Sequence, residues 1–288
     1  MNYLMYLFCM LVWGLNFIAV KIQGNSVALE VSLLYRSAIA FLLFLILFFL
    51  VYKKNFMQGN LFSVIGFGLC NFTLSYLLLY YGTFYSSAAI VTLLFSMKAV
   101  LTPIFISMVF KTKIAKKIYL GGLLGLISVV IIIYPDINNL TPKFIIGISF
   151  AVLGTVVTSI GDVLSFYNSQ KNINPVTSNL IGMFSAVVFM IIYTLIKGSV
   201  YEIPNELNFW IGLIYLSVFA SFLAWLFYLK LISNIGAAES GYMVAMFPAI
   251  GGTASVIMGE SQLSVNLVVG VILACFGAYL ALRKSKKN

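Results

Sequence analysis

The stretch EVSLLYRSAIAFLLFLILFFLVY, residues 30–52, decides the fold of this chain. Its only charged side chains are Glu30, at the first position, and Arg36. A helix needs about 20 mostly apolar residues to cross the hydrocarbon core of a bilayer. Because lipid offers no partner to an unpaired backbone group, a run of this kind is expected to be helical. The stretch therefore predicts a transmembrane α-helix.

The rest of the chain has the same character. Of its 288 residues, 62% are hydrophobic and only 8% are charged, whereas about a quarter of the residues in a soluble domain are charged. We therefore predict an all-α integral membrane protein in one compact domain, with no soluble module. Its ten transmembrane helices are predicted at residues 3–22, 30–52, 61–81, 87–110, 118–134, 144–166, 176–196, 209–231, 237–258 and 265–282.

The formal net charge of +10 sets the predicted orientation. With a cytoplasmic N-terminus, twelve basic residues lie in cytoplasmic loops and in the C-terminal tail. Only Lys21, Lys143 and Lys197 lie outside. This positive-inside bias predicts a multi-pass protein of the cytoplasmic (inner) membrane with both termini in the cytoplasm. The basic residues are then topology signals beside anionic lipids, and no nucleic-acid partner is expected.

Metal and cofactor chemistry is not expected. The chain has no histidine, and its three cysteines lie in apolar runs without a C-x-x-C pair. A lipid-phosphate enzyme would need clustered acids or histidines, and the seven acids are scattered. A channel usually shows rings of polar residues, whereas the predicted midplane is nearly uncharged. We therefore expect a protein that is not an enzyme and has no cofactor or bound metal, with a channel or a non-transporting membrane protein as the alternative to a carrier.

The two halves of the chain resemble each other when they are offset by 149 residues. Tyr76 then aligns with Trp225, and Gly121 aligns with Gly270. A unit of five helices has an odd number of spans, so the second copy would be inverted. Inverted repeats are common in secondary transporters. The predicted units are residues 1–135 and residues 143–283.

Several short motifs give a family resemblance over essentially the whole length. They are Trp13-Gly14-Leu15-Asn16-Phe17, Arg36, Gly236-Ala237-Ala238, Pro248, Gly259-Glu260, Gly270 and Gly277. With these motifs the chain resembles the drug/metabolite transporter superfamily, in its ten-helix EamA-type branch.

The resemblance implies ten helices in an inverted 5+5 repeat around a central cavity, lined mainly by helices 1, 3, 4, 6, 8 and 9. It implies a secondary transporter of small metabolites that works by alternating access, and we expect export of amino acids or related metabolites. The expected partners are a small-molecule solute, membrane lipids and a coupled proton. The expected assembly is a monomer or a weak dimer.

Lys98 is the most informative charged residue. It lies eleven residues into its predicted helix, roughly 16 Å deep and near the midplane. A charge there costs at least about 3 kcal/mol, so it should face protein or a wet cavity. By the same count no carboxylate shares its depth. Lys98 therefore either meets an anionic group of the substrate, or snorkels or loses its proton against backbone carbonyls.

Other charged and special residues have two interpretations each. Asp162 and Glu239, both predicted near the cytoplasmic ends of their helices, are candidates for proton coupling, although an acid such as Glu239 in a first helical turn also complements the helix dipole. Arg36 is expected to pin its helix by hydrogen bonds to carbonyls, with substrate contact as the alternative. Glu30 lies on a different face and is a poor partner for Arg36. Pro248 is expected mid-helix, as a kink for gating or for packing.

Aromatic and small polar side chains on the predicted cavity helices suit a solute with an apolar body and a few polar groups. Each of them alone is more often a packing residue or an interfacial anchor. The candidates for substrate binding, besides Lys98, are Trp13, Asn16, Tyr76, Tyr80, Ser159, Trp225, Tyr228 and Tyr242.

Overall fold

The structure is a computed structural model that describes residues 2–51, 60–111, 113, 116–134, 141–235, 240 and 242–282. All regular secondary structure in these residues is helical. Within the described residues, seven helices are long and apolar enough to cross a membrane, and an eighth crossing results if one bent pair of helices counts as a single span. The prediction of an all-helical protein that crosses the membrane several times is confirmed.

The helices follow one another with short connections. They are α1 (Asn2–Gly14), α2 (Asn16–Gln23), α3 (Leu29–Val51), α4 (Leu61–Tyr85), α5 (Ala88–Phe110), α6 (Lys116–Ile133), α7 (Pro142–Gln170), α8 (Pro175–Lys197), α9 (Leu207–Ile232), α10 (Phe247–Ile257) and α11 (Val265–Leu282). A 3₁₀ segment, Tyr242–Met246, precedes α10. The helix predicted at residues 30–52 is α3, displaced by one residue.

Local sequence explains where several helices begin. The side chains of Ser87, Thr141 and Asn174 accept hydrogen bonds from the backbone amides of Ile90, Phe144 and Val176. Capping of this kind satisfies donors that have no partner inside the helix. In α7 and α8 a proline follows the cap at once, where its missing N–H costs nothing.

Two predicted helices differ from the structure. The first is divided at Leu15 into α1 and α2, which are bent by 44°. In the ninth, the predicted start at residues 237–239 lies outside the described residues, Ser240 is α-helical, Tyr242–Met246 form a 3₁₀ segment, and α10 begins at Phe247. Pro248 therefore sits in the first turn of α10 and not in mid-helix, so the expected kink within a continuous helix is wrong. A proline in a first turn leaves no intrahelical hydrogen bond unmade.

Glycines let the helices approach closely. A Cβ atom at Gly68 in α4 would collide with backbone atoms of Gly182 in α8. A Cβ atom at Gly277 in α11 would stand 2.8 Å from the carbonyl oxygen of Gly121 in α6. Small residues at such crossings are the usual means of helix packing in membranes. These contacts pack α4 closely against α8 and α6 closely against α11.

Candidate functional site

A cavity lies where α1, α2, α4, α5, α7, α9 and α10 converge. Its volume, taken as the space that the centre of a water molecule can occupy, is ≈ 30 Å³. This is room for about two waters. Seven of the twelve residues around it are aromatic. The lining residues are Trp13, Asn16, Phe17, Tyr76, Leu79, Phe95, Lys98, Thr158, Trp225, Tyr228, Val244 and Phe247.

The helices around this central cavity are interrupted near it. The bend at Leu15 lies between the lining residues Trp13 and Asn16. The α-helix in α5 breaks at Met97, next to Lys98. The 3₁₀ segment Tyr242–Met246 passes into α10 at the lining residue Phe247. Interrupted helices at the membrane midplane are a recurrent feature of solute sites in transporters.

Lys98 forms a buried ion pair at the wall of the cavity. Its Nζ lies 3.0 Å from Oδ2 of Asp162, and the two side chains are 10% and 9% exposed. The expectation that no carboxylate lies level with Lys98 is therefore wrong. The depth of Asp162 had been estimated by counting residues along its predicted helix. That estimate failed because α7 has 29 residues and is about 43 Å long at 1.5 Å per residue, which is longer than the hydrocarbon core of a bilayer. Counting from its first residue placed Asp162 too close to the far end.

Further contacts hold the pair in place. The hydroxyl of Thr102, one turn beyond Lys98 on α5, donates a hydrogen bond of 3.0 Å to Oδ2 of Asp162. The Lys98 ammonium also lies 5.1 Å from the centre of the Phe95 ring, within the range of a cation–π contact. In a low-dielectric setting these contacts offset part of the cost of burying two charges.

An aromatic cluster forms another part of the wall. The Trp13 ring packs edge-on against Trp225 at 5.3 Å and Tyr228 at 5.0 Å between ring centres. Both indole N–H groups are satisfied, since Trp13 donates to the carbonyl of Ala220 at 3.0 Å and Trp225 donates to the Tyr76 hydroxyl at 2.9 Å. The cluster therefore offers a bound molecule apolar faces and edges, with few unpaired donors.

Arg36 lies behind this wall, 1% exposed. Its Nε donates to Ser221 at 2.8 Å, and the two terminal nitrogens donate to Tyr80 at 3.4 Å and Asn16 at 3.3 Å. The guanidinium also stacks 4.1 Å from the centre of the Tyr76 ring. Arg36 thus joins four helices through side chains, where backbone carbonyls had been expected. Among the described residues no carboxylate pairs with it, and Glu30 binds elsewhere.

The other predicted site residues have different positions. Tyr80 contacts Arg36 but does not line the cavity, and Ser159 is fully buried with its hydroxyl bonded to the carbonyl of Thr155. Glu239 and the side chain of Tyr242 lie outside the described residues. Sequence reasoning missed Thr158, although it lies four residues before Asp162. That spacing places two side chains on one helix face. The position of Asp162 in the sequence could therefore have indicated that Thr158 belongs to the site.

Two polar clusters connect the helices at one end of the bundle. The first is Glu30, 3% exposed, which pairs with Lys197 at 2.8 Å and accepts hydrogen bonds from Tyr81 and Ser199 at 2.9 and 2.6 Å. It ties the start of α3 to the end of α8 and to α4. The charge assignment from sequence placed Glu30 at this end but did not find its partners.

The second cluster is built on Glu260, which follows α10. Its carboxylate accepts hydrogen bonds from the amide of Ala88, at 3.0 and 3.1 Å, and from the Ser255 hydroxyl at 2.9 Å. Lys21 of α2 lies 3.3 Å away. A carboxylate at the N-terminus of α5 is favoured by the helix dipole and by the free amides there. The two clusters together join helices of both halves of the chain.

These features define a helical membrane protein with a small central cavity, a buried ion pair and an aromatic wall. The sequence model of the EamA-like transporter family matches residues 1–134 and residues 145–283. The chain belongs to this family and is a multi-pass membrane transporter of a small solute.

The chain is also similar to two other proteins. The chain is 24% identical over 262 residues to an uncharacterized transporter in the trpA 3' region of Buchnera aphidicola subsp. Schlechtendalia chinensis, over 86% of this chain and 81% of the relative. A solved crystal structure is similar with a TM-score of 0.73, covering 97% of this chain and 96% of its own, at 14% identity. The second likeness shows a common fold.

Proposed function

We propose that this protein is a secondary transporter that moves small metabolites across the cytoplasmic membrane by alternating access, exporting amino acids or related compounds. The observation that carries the proposal is the buried Lys98–Asp162 pair, whose Lys98 lines the central cavity together with an aromatic cluster. Buried charges near the middle of a membrane are costly, and they commonly mark the path of a solute or a proton.

The proposed architecture is ten spans in two inverted repeats, residues 1–135 and 143–283. Tyr76 and Trp225 align at the offset of 149 residues and are hydrogen-bonded to each other, as expected for two positions beside a pseudo-two-fold axis. At the same offset, the π-helical segment Leu69–Leu74 falls within the π-helical segment Tyr215–Leu223. The break at Met97 likewise falls on Met246, just before α10. These correspondences support the repeat.

The proposed orientation places both termini in the cytoplasm, as the distribution of lysines favours. The Glu30 and Glu260 clusters then lie at the outer end of the bundle. They join α2, α3, α4, α5 and α8 there. Because the cavity has room for only about two waters, a solute does not fit in it, and we interpret this arrangement as a closed state of the proposed transport cycle.

Within the site we assign to Lys98 the contact with an acidic group of the solute, and to Asp162 the charge that balances Lys98 when the cavity is empty. Coupling to protons would require Asp162 to take up a proton and release Lys98. Trp13, Asn16, Tyr76, Trp225 and Tyr228 would hold the body of the solute.

The test is uptake of a panel of labelled amino acids into proteoliposomes, with and without a proton gradient. We expect saturable uptake of one class by the wild type and at least about a tenfold loss in Lys98→Ala. Lys143→Ala is the matched control, because Lys143 is exposed at the start of α7. Undiminished uptake by a well-expressed Lys98→Ala variant would contradict the role of Lys98. A gradient-dependent rate would support proton coupling.

A further inference from the structure

We propose that Glu30 and Glu260 form a clamp that holds one end of the bundle closed, so that the empty carrier exposes its cavity at the other end. This inference rests on the proposed function, because it names residues that control alternating access. In the proposed orientation the clamped end is the outer one. The empty carrier is then accessible from the cytoplasm, where an exporter takes up its solute.

The two acids connect the proposed repeats reciprocally. Glu30 of the first repeat pairs with Lys197 of the second repeat, at 2.8 Å between Oε1 and Nζ. Glu260 of the second repeat pairs with Lys21 of the first repeat, at 3.3 Å between the corresponding atoms. Each repeat thus supplies one acid and one lysine. The repeats cannot move apart at this end unless both ion pairs break.

Further hydrogen bonds strengthen both ion pairs. Glu30 is 3% exposed and also accepts hydrogen bonds from Ser199 of the second repeat and from Tyr81. Both carboxylate oxygens of Glu260 lie within 3.1 Å of the Ala88 amide, at the N-terminus of α5, where the helix dipole favours a negative charge. Hydrogen bonds to an ionised group are about twice as strong as neutral ones. Opening of this end is therefore costly.

The sequence has no equivalent acids at the opposite end. At the offset of 149 residues, the segment 260–266, which begins with Glu260, aligns with residues 111–117, KTKIAKK. That segment contains four lysines and no acid. Glu30 falls near the start of α8, where residues 175–182 contain no acid either. Neither half of the clamp is therefore repeated at the opposite end.

Neutral side chains join the repeats at that end. The Ser63 hydroxyl donates to Oδ1 of Asn168 at 2.6 Å, and Nδ2 of Asn234 donates to Oδ1 of Asn2 at 2.9 Å. Glu239, the remaining acid predicted near this end, lies outside the described residues. Contacts between neutral groups are weaker than charge-assisted ones, so this end opens at lower cost than the clamped end.

The asymmetry between the ends sets the population of the two open states. Inverted repeats would allow either end to open, but only the state that is open outward must lose the clamp. A difference in stability between two states is read directly as a difference in their populations. The charge-assisted contacts of the clamp correspond to a preference of at least about tenfold for the state that is closed at the outer end.

The test measures from which face a cysteine in the cavity reacts. Val244→Cys places a thiol of similar size on the cavity wall, in a background in which Cys9, Cys70 and Cys275 are replaced by alanine. This background without the new cysteine is the blank. A membrane-impermeant methanethiosulfonate is applied to right-side-out or inside-out vesicles without solute. We expect the thiol to react at least about tenfold faster from the cytoplasmic face.

Two pairs of substitutions should change this preference. Glu30→Gln/Glu260→Gln removes both charges of the clamp and should speed the reaction from the outer face at least about tenfold, without speeding it from the cytoplasmic face. Lys21→Gln/Lys197→Gln breaks the same ion pairs through side chains that are 27% and 46% exposed, so it tests the clamp if the first pair does not fold. Glu206→Gln is the matched control. It removes an exposed acid at the same end and should change neither rate.

Several results would overturn the inference. Faster reaction from both faces in the variants would mean that the acids only stabilise the fold. An unchanged outer rate in both variant pairs, faster reaction of the unclamped thiol background from the outer face, or reaction from neither face would also overturn it. In each case transport of a solute in the proteoliposome panel would leave the transport function standing, and absence of all transport would remove both.

Discussion

At the scale of single residues, the described centre of this protein contains three charged side chains in two arrangements. Lys98 and Asp162 neutralise each other beside the cavity. Arg36 is stabilised by hydroxyl and amide oxygens and by the face of Tyr76. We propose that the first arrangement contacts the solute and that the second holds the wall of the cavity in place. We therefore separate a recognition role for the ion pair from a positioning role for Arg36.

Replacement of Arg36 tests the positioning role. Arg36→Met leaves Asn16, Ser221 and Tyr80 buried without their donor, and an unsatisfied buried polar group costs about 1–3 kcal/mol. We expect a lower unfolding temperature together with a raised KM, since Asn16 and Tyr76 line the cavity. Thermal unfolding in detergent and transport kinetics measure the two effects.

The control for this experiment is Lys230→Met, which removes an exposed cation near the end of α9. It should change neither quantity. An Arg36→Met variant with wild-type stability and an unchanged KM would show that the hydrogen bonds of Arg36 do not hold the wall of the cavity.

At the scale of elements, irregular helices shape the site, and glycines determine how closely neighbouring helices approach each other. The breaks at Leu15 and Met97 and the π-helical segments in α4 and α9 occur in helices that line the cavity. π-Helical segments often occur at functional sites. The contact of Gly68 with Gly182 brings the backbones of α4 and α8 together just before the first of these segments.

Gly68→Ala should therefore be strongly destabilising. The added methyl group would collide with the backbone of Gly182, and overpacking of this kind typically costs about 1–3 kcal/mol. Gly66→Ala is a matched control in the same helix, because its methyl group would meet only the tip of Leu164, at 3.1 Å. The measurement is the unfolding temperature of each variant. Equal temperatures for the two variants would show that α4 and α8 can separate without cost.

The sequence predicted the elements better than their irregularities. Apolar runs locate helices such as α3, because every spanning segment must pair its own backbone hydrogen-bonding groups and be long enough to cross the bilayer core. The break at Met97 and the bend at Leu15 have no comparable local signal. Aromatic residues such as Trp13, Tyr76, Trp225 and Tyr228 were predicted from their helices and do line the cavity. The partners of Lys98 and Arg36 depend on tilt and helix length, which counting along the chain does not provide.

At the scale of the whole molecule, the proposed repeat relates the two halves through contacts at the centre. The Tyr76–Trp225 hydrogen bond joins equivalent positions, and the Glu260 carboxylate joins the loop after α10 to the start of α5 in the other half. Two similar halves of opposite orientation can exchange conformations, which opens the cavity first to one side and then to the other. The proposed repeat therefore predicts a carrier and not a channel.

The measurement that tests this claim most directly is counterflow in proteoliposomes. Vesicles are preloaded with an unlabelled solute identified in the amino-acid panel, and entry of the labelled solute is followed. A carrier that alternates between two faces should accumulate label transiently above the external concentration. Vesicles with Lys98→Ala should not, whereas those with Lys143→Ala should. Entry of label that only approaches equilibrium, at a rate independent of preloading, would indicate a channel and contradict the account.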